Sequence, residues 1–222
     1  RSSSTGSSSS RWKGASAEVA ELTDNPAVSA QAVDELVASR GEPAWLADER
    51  RAALRTFDAT KWPGQRDELW RYTRLERFSV AGLDLVSGPL TDEVSERIDR
   101  RIRDSDAEGV MVVKNGRKVR HEARIKESGV IFTDMATALR EHEDLVRQHL
   151  YTAVNAPMTK FTALNSALWT GGTFVYVPKD VEVELPLGTF TTADRGGLGS
   201  GRTLIVVDVN AKATFIDEFT SD

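Results

Sequence analysis

Near the end of the chain, one pattern of short alternating segments occurs twice and constrains the fold more than any other feature. The first copy is GTFVYVPKDVEVELPLGTF, from Gly172, and the second is RTLIVVDVNAKATFIDEF, from Arg202. In both, β-branched and aromatic residues alternate with other residues on either side of a short corner, which is typical of strands. Repeated units predict coils of a parallel β-helix, each burying its inward side chains on the next. A β-sandwich is the alternative, and two units do not decide between them.

The preceding residues, 26–156, predict a mostly helical domain with a small β-hairpin. Ser29 is a good N-cap for a helix that Gly41 can end, and Pro43 suits the first turn of a second helix. Thr91 precedes a third amphipathic helix, and Asn115-Gly116 between two extended runs indicates a hairpin. We also expect a short strand that ends at Asp134, two helices with a break near His142, and a helix in MTKFTALNSALW.

The fold class is therefore predicted to be α+β, with a helical domain before the first coils of a right-handed parallel β-helix over residues 157–222. Residues 1–25 are serine-rich and have almost nothing apolar to bury. They are typical of a disordered tail or a leftover of the expression vector.

Composition excludes several classes of function. The chain has 222 residues and no cysteine, so disulfides, thiolate metal sites and a cysteine nucleophile are all absent. Its net charge is −5, and residues 161–222 hold eight acidic and four basic side chains, so we expect no nucleic-acid partner. No apolar run approaches the ~18 residues of a membrane span, and no secretory signal is visible. A cytoplasmic protein fits best.

The glycine-rich stretch GGLGSGRT, Gly196–Thr203, has the G-x-x-x-x-G spacing of a nucleotide-binding P-loop. A P-loop needs a Lys where this chain has Arg202, and it connects a strand to a helix. Here the strand-like LIVVDV follows instead. The stretch is therefore predicted to connect two strands, with a nucleotide-binding enzyme as the competing hypothesis.

The paired acidic residues have a simpler structural explanation than catalysis. Glu182 and Glu184 share one side of a strand whose other face carries Val181, Val183 and Leu185, the pattern of a solvated strand surface over a buried one. Asp217 and Glu218 are neighbours in a strand and point to opposite sides.

The histidines and tryptophans are also expected to be structural. We expect three histidines to lie on the surface: His121, His142 and His149. We expect four tryptophans to serve packing rather than base stacking: Trp45, Trp62, Trp70 and Trp169. No catalytic, cofactor-binding or metal-binding residue is predicted, which points to a scaffold rather than an enzyme.

Several stretches, taken in order, resemble the SufB/SufD family of iron–sulfur cluster assembly proteins. They are EPAWLADERRAALRTFDATKWP, DELWRYTRLERF, SGVIFTDMATALREHEDLVRQHL, KFTALNSALWTGGTFVYVPKDVEVELPL and RTLIVVDVNAKATFIDEFTSD. Together they cover nearly everything from Ser29 to Asp222, and ALNSALWTGGTFVYVP is the most specific. WRYT at Trp70–Thr73 and the lack of cysteine resemble SufD more than SufB.

The resemblance implies a scaffold subunit of the SUF complex, which pairs with a SufB-like subunit through the β-helix. A SufC-like ATPase would bind through a C-terminal part outside this chain and would hold the ATP. The iron–sulfur cluster would be transient, and the family's cluster ligands lie in later coils, so none is transferred to a position here. The family also leaves open a SufB-like or ancestral SufB/SufD-type homodimer. An isolated early part of a β-helix is expected to expose an apolar edge and to associate.

Overall fold

The computed structural model describes residues 26–73, 75, 78, 80, 85, 89–194 and 196–221, so the serine-rich residues 1–25 lie outside the described part. The described residues form an α+β structure. Its α-helices are α1 Ala30–Arg40, α2 Ala44–Ala59, α3 Asp92–Asp104, α4 Met135–Glu141, α5 Glu143–His149 and α6 Lys160–Leu168. Its strands are β1 Gly109–Lys114, β2 Arg117–Ala123, β3 Ile131–Asp134, β4 Thr173–Val177, β5 Leu187–Ala193, β6 Leu204–Val207 and β7 Phe215–Ser221. Within those ranges, no helix is long and apolar enough to cross a bilayer.

The helix ends follow the local signals in the sequence. Ser29 accepts a hydrogen bond from the amide of Ala32 at the start of α1, and Gly41 ends that helix at φ +60°. The side chain of Thr91 caps α3, and that of Asp134 caps α4. The break between α4 and α5 falls at His142, as expected. Pro43 is the residue before α2 rather than its first helical residue.

The helical part packs around α2 and α6. Phe57 of α2 and Leu164 of α6 belong to one buried apolar cluster. Lys160, at the start of α6, donates hydrogen bonds of 2.8 Å to the carbonyls of Phe57 and Thr60. These carbonyls belong to the last turn of α2 and to its C-cap, where a helix runs out of backbone amides that could bind them.

Arg50 of α2 is fully buried beside Trp169, which follows α6. Its guanidinium lies 4.3 Å from the centre of the Trp169 ring and binds both carboxylate oxygens of Glu42 at 2.6 and 2.7 Å. It also donates to the carbonyl of Ala167 at 3.1 Å. These partners are what make a buried arginine tolerable, since an unpaired buried charge is strongly destabilising.

The strands form two sheets, each with antiparallel and parallel pairs. One has the order β2-β1-β5-β7, in which β1 pairs antiparallel with β2 and parallel with β5. The other has the order β3-β4-β6, with β3 antiparallel and β6 parallel to β4. Asn115 and Gly116 turn the β1–β2 hairpin at φ +46° and +82°, the left-handed pair that this dipeptide predicted. Both sheets contain strands from each side of residue 157.

The parallel pairs join the two repeated units with a nearly constant offset. Phe174 of β4 pairs with Leu204 of β6, thirty residues later. Leu187 of β5 pairs with Phe215 of β7, twenty-eight residues later. The second unit therefore lies against the first in the same direction.

The segment 181–185, expected to be an alternating strand, is different. It contains one isolated parallel bridge, from Glu182 to Lys212, instead of a continuous strand. Val183 is buried as expected, but Leu185 is 45% exposed. The segment lies between Pro178 and Pro186, and neither proline can donate a backbone hydrogen bond to a ladder.

Candidate functional site

Three backbone segments meet at the glycine-rich loop. They are the Asn115–Gly116 turn, the corner Thr170–Gly172 and the end of the loop, Ser200–Arg202. The amide of Thr170 donates to the carbonyl of Ser200 at 2.7 Å, and the amide of Arg202 donates to that of Gly171 at 2.8 Å. The hydroxyl of Thr170 donates to the Asn115 carbonyl at 2.7 Å. We call this meeting point the glycine junction.

Glycine is required at the junction because the backbones lie too close for a β-carbon. A Cβ on Gly172 would lie 2.1 Å from the carbonyl oxygen of Arg202, and one on Gly171 would lie 2.2 Å from that of Gly116. Two glycines of the loop also belong here: Gly201 forms a parallel bridge with Gly171, and Gly197 packs against the Asn115 side chain. Close backbone approach therefore explains Gly171 and Gly172 of the corner, whereas a Cβ on Gly201 of the loop would meet no atom closer than 3.9 Å.

Arg202 fastens the loop to the helical part of the protein. Its guanidinium donates to the side chains of Asn165 at 3.0 Å and Ser166 at 3.3 Å, and it lies 4.3 Å from the centre of the Tyr151 ring. Burial lowers the pKa of Arg202. The stretch that follows is the strand β6, so the loop lacks the strand–loop–helix arrangement of a P-loop.

The strands of the second repeated unit, β6 and β7, each lie at one edge of a sheet. In the described part of the chain, β6 and β7 are edge strands, and their exposed side chains are largely apolar. The exposed fractions are 41% for Ile205, 46% for Val207, 42% for Ile216 and 73% for Phe219. Strand edges beside apolar side chains can pair with another strand. We call β6 and β7 together the open edge, and it is the candidate interaction surface.

The acidic residues singled out from the sequence do not form one site. Glu182 is exposed and pairs with Lys212, whose pKa is raised by that hydrogen bond, while Glu184 is exposed. Glu218 forms a 3.2 Å ion pair with Arg101 of α3, and burial raises the pKa of Asp217. These carboxylates sit in separate surroundings along the repeated units.

The histidines are spread over the hairpin and the helix ends. His121 is exposed as expected, whereas His142 and His149 are half-buried at the ends of α5. In the part of the chain that the structure describes, no group of three His, Cys, Asp or Glu residues could hold a metal ion.

The four tryptophans singled out from the sequence pack within the helical part. Trp169 is fully buried, and Trp70 stacks on Phe161 with ring centroids 5.0 Å apart. Trp45 and Trp62 are partly buried against the two apolar clusters of the helices. These positions agree with the packing role expected from the sequence.

The fold and its open edge define an α+β protein in which a helical part carries stacked parallel strands. The comparison with protein families gives the particular class: the model of the SufBD protein N-terminal region matches residues 32–188, so the chain belongs to the SufBD family.

Individual relatives agree with this assignment. The chain is 31% identical over 204 residues to an iron-sulfur cluster assembly SufBD family protein of Staphylococcus epidermidis, covering 85% of this chain and 43% of the relative. The chain is likewise 31% identical over 204 residues to the iron-sulfur cluster assembly protein SufB of Bacillus subtilis, with the same coverage of both chains. A SufBD family protein of Mycobacterium tuberculosis is 30% identical over 219 residues, covering 91% of this chain and 25% of the relative. The chain thus spans less than half the length of these curated relatives.

Proposed function

We propose that the chain is the N-terminal and early β-helix portion of a non-catalytic scaffold subunit of the SUF iron–sulfur cluster assembly complex, acting in the cytoplasm. The observation that carries the proposal is the parallel pairing of the two repeated units, 28 to 30 residues apart, in a SufBD family chain. A β-helix requires parallel units of similar length stacked on one another. The right-handed sense follows from the strong preference of parallel crossover connections for that hand.

In this proposal the β-helix pairs with a SufB-like subunit. A SufC-like ATPase binds a part of the protein outside this chain, and the cluster is a transient cargo of the complete complex. The open edge supports the pairing, because β6 and β7 offer backbone groups and apolar side chains for another strand. ATP binding belongs to the partner, which agrees with the strand that follows the glycine-rich loop.

Co-purification from the native source tests the assembly role. The protein carrying this chain should bring down a SufC-like ATPase and a SufB-like subunit. If neither accompanies it, a stand-alone binding module replaces the assembly proposal. Titration of the 222-residue chain with a fluorescent ATP analogue tests the nucleotide-binding alternative, and micromolar binding would refute the scaffold role.

A second arrangement is a SufB-like homodimer. The similarity to the iron-sulfur cluster assembly protein SufB of Bacillus subtilis supports it, and the SufBD family match does not distinguish a SufB-type from a SufD-type subunit. Light scattering on the purified native complex separates the two, because a homodimer contains two copies of this chain and a SufB–SufD pair contains one. A cluster-ligating cysteine elsewhere in the protein would also favour the homodimer.

A further inference from the structure

A basic pocket lies beside the glycine junction. It has a volume of about 360 Å³ and is formed by the end of α1, the start of β2 and the corner at Thr170. Of the residues that the structure describes, Arg40, Arg117 and Lys118 line it together with one carboxylate, that of Asp134. We call it the Arg40 pocket.

The one carboxylate in the Arg40 pocket is already engaged. Asp134 accepts hydrogen bonds from Lys118 and from both the amide and the hydroxyl of Thr137, the latter two at 3.2 and 2.8 Å. Burial alone would raise the pKa of Asp134, but these hydrogen bonds outweigh it and the pKa is lowered. The carboxylate therefore stays ionised and neutralises the charge of Lys118. The charges of the Arg40 and Arg117 guanidinium groups remain.

Arg40 and Arg117 differ from Lys118 in this respect. Among the described residues, neither forms an ion pair with a carboxylate. Glu42 lies near Arg40, but its carboxylate is bound by the guanidinium of Arg50. The pocket therefore carries a net positive charge that the protein's described side chains leave uncompensated.

Arg40 is also held in place. It donates a hydrogen bond to the carbonyl of Thr170, which is itself fixed in the glycine junction. Burial, followed by repulsion from Arg50 and Arg117, lowers the pKa of Arg40 to about 10, so it remains charged at neutral pH. A fixed cation at the wall of a pocket loses little conformational entropy when an anion binds.

We propose that the Arg40 pocket is an oxyanion-binding site, which takes one carboxylate or phosphate group between Arg40 and Arg117. Guanidinium groups suit this chemistry because their planar N–H donors match the spacing of oxygens on such groups. The pocket volume of about 360 Å³ lies within the range of small-ligand sites and leaves room for such a group. The group can come from a free anion or from an acidic side chain of a protein segment.

The test titrates the ¹⁵N-labelled 222-residue chain with inorganic phosphate in one arm and tetraglutamate peptide in the other. The measurement is the amide chemical shifts of Gly171 and Gly172, which line the pocket. We expect saturable shifts with at least one probe. Arg117→Gln should weaken binding about tenfold, the effect of losing one charge-assisted hydrogen bond. Arg55→Gln is the matched control, because Arg55 is an exposed arginine on α2, and it should bind like the parent chain.

Each outcome decides the matter. Shifts with phosphate that Arg117→Gln weakens support a site for free oxyanions, and the same result with the peptide alone supports a site for an acidic segment. The proposal fails if neither probe moves these amides, or if Arg117→Gln and Arg55→Gln bind equally well. Arg117 is an exposed residue in the hairpin, so the substitution leaves the buried clusters intact and a folded variant is expected.

Discussion

Replacement of Gly172 by alanine is the sharpest test of the glycine junction. The new Cβ would lie 2.1 Å from the carbonyl oxygen of Arg202 and 2.7 Å from its amide nitrogen. Both are backbone atoms, so no side chain can rotate away to make room. Gly172 also has φ +135°, a conformation that residues with a Cβ rarely adopt.

The expected loss of stability is the sum of two contributions, backbone strain and steric overlap. Backbone strain at such a φ is worth about 1–3 kcal/mol, and forcing an extra carbon into a filled space about 1–3 kcal/mol more. We therefore expect Gly172→Ala to lower the free energy of unfolding by about 2–6 kcal/mol. This is a large part of the ~5–15 kcal/mol by which proteins are stable.

Two control substitutions separate the contributions. Gly41 has φ +60° and nothing within 4 Å of the point where a β-carbon would lie, so Gly41→Ala carries the backbone strain alone, about 1–2 kcal/mol. Gly64 has open space and no positive φ, so Gly64→Ala should stay within about 0.5 kcal/mol of the parent. Guanidinium unfolding followed by tryptophan fluorescence measures all three. If Gly172→Ala destabilises no more than Gly41→Ala, the close approach of the backbones has been misjudged.

Three further predictions concern other parts of the structure. Arg50→Met should lower the free energy of unfolding by about 3–5 kcal/mol because it leaves the buried carboxylate of Glu42 unpaired, and thermal unfolding should show Glu42→Gln partly restoring stability in the double variant. The pKa of Asp134 is lowered by folding, so the ionised carboxylate stabilises the fold above its unfolded pKa, near 3.8, and this stabilisation is lost as the pH falls through the folded pKa. Urea titrations should therefore show the stability difference between the parent and Asp134→Asn shrinking as the pH is lowered from neutral. Phe219→Ser on the open edge should weaken self-association of the chain roughly tenfold in sedimentation experiments, whereas Leu69→Ser, which removes an even more exposed side chain elsewhere, should not.

Local signals were sufficient for most element boundaries. Ser29, Thr91 and Asp134 cap helices because a short polar side chain can reach the free amides of the first turn, an interaction within three residues. Asn115-Gly116 turns a hairpin for a similarly local reason, since its backbone preference is intrinsic. The family resemblance, drawn from residues alone, agrees with the SufBD match over residues 32–188.

Prediction was weaker where distant segments meet. The hairpin was expected to belong to the helical part, and nothing in the sequence indicated that β1 would pair in parallel with β5, which begins more than seventy residues later. Leu185 was expected to share a buried face with Val183, but the strand it needed is not formed between the two prolines. Arg40 and Arg117 line the same pocket, but they are far apart in the sequence and no motif links them.

The glycine-rich loop illustrates the difference between what local sequence determines and what folding determines. Its sequence alone determined that the segment 196–203 has the spacing but not the lysine or the following helix of a P-loop, and so connects two strands. Only the tertiary structure decided what the loop packs against: Gly201 pairs with Gly171, and Arg202 reaches Asn165 and Tyr151. Caps, turns and strand periodicity depend on neighbours a few residues away, which a sequence displays. Close backbone approach and paired charges depend on residues brought together by folding, and those distances exist only in the folded chain.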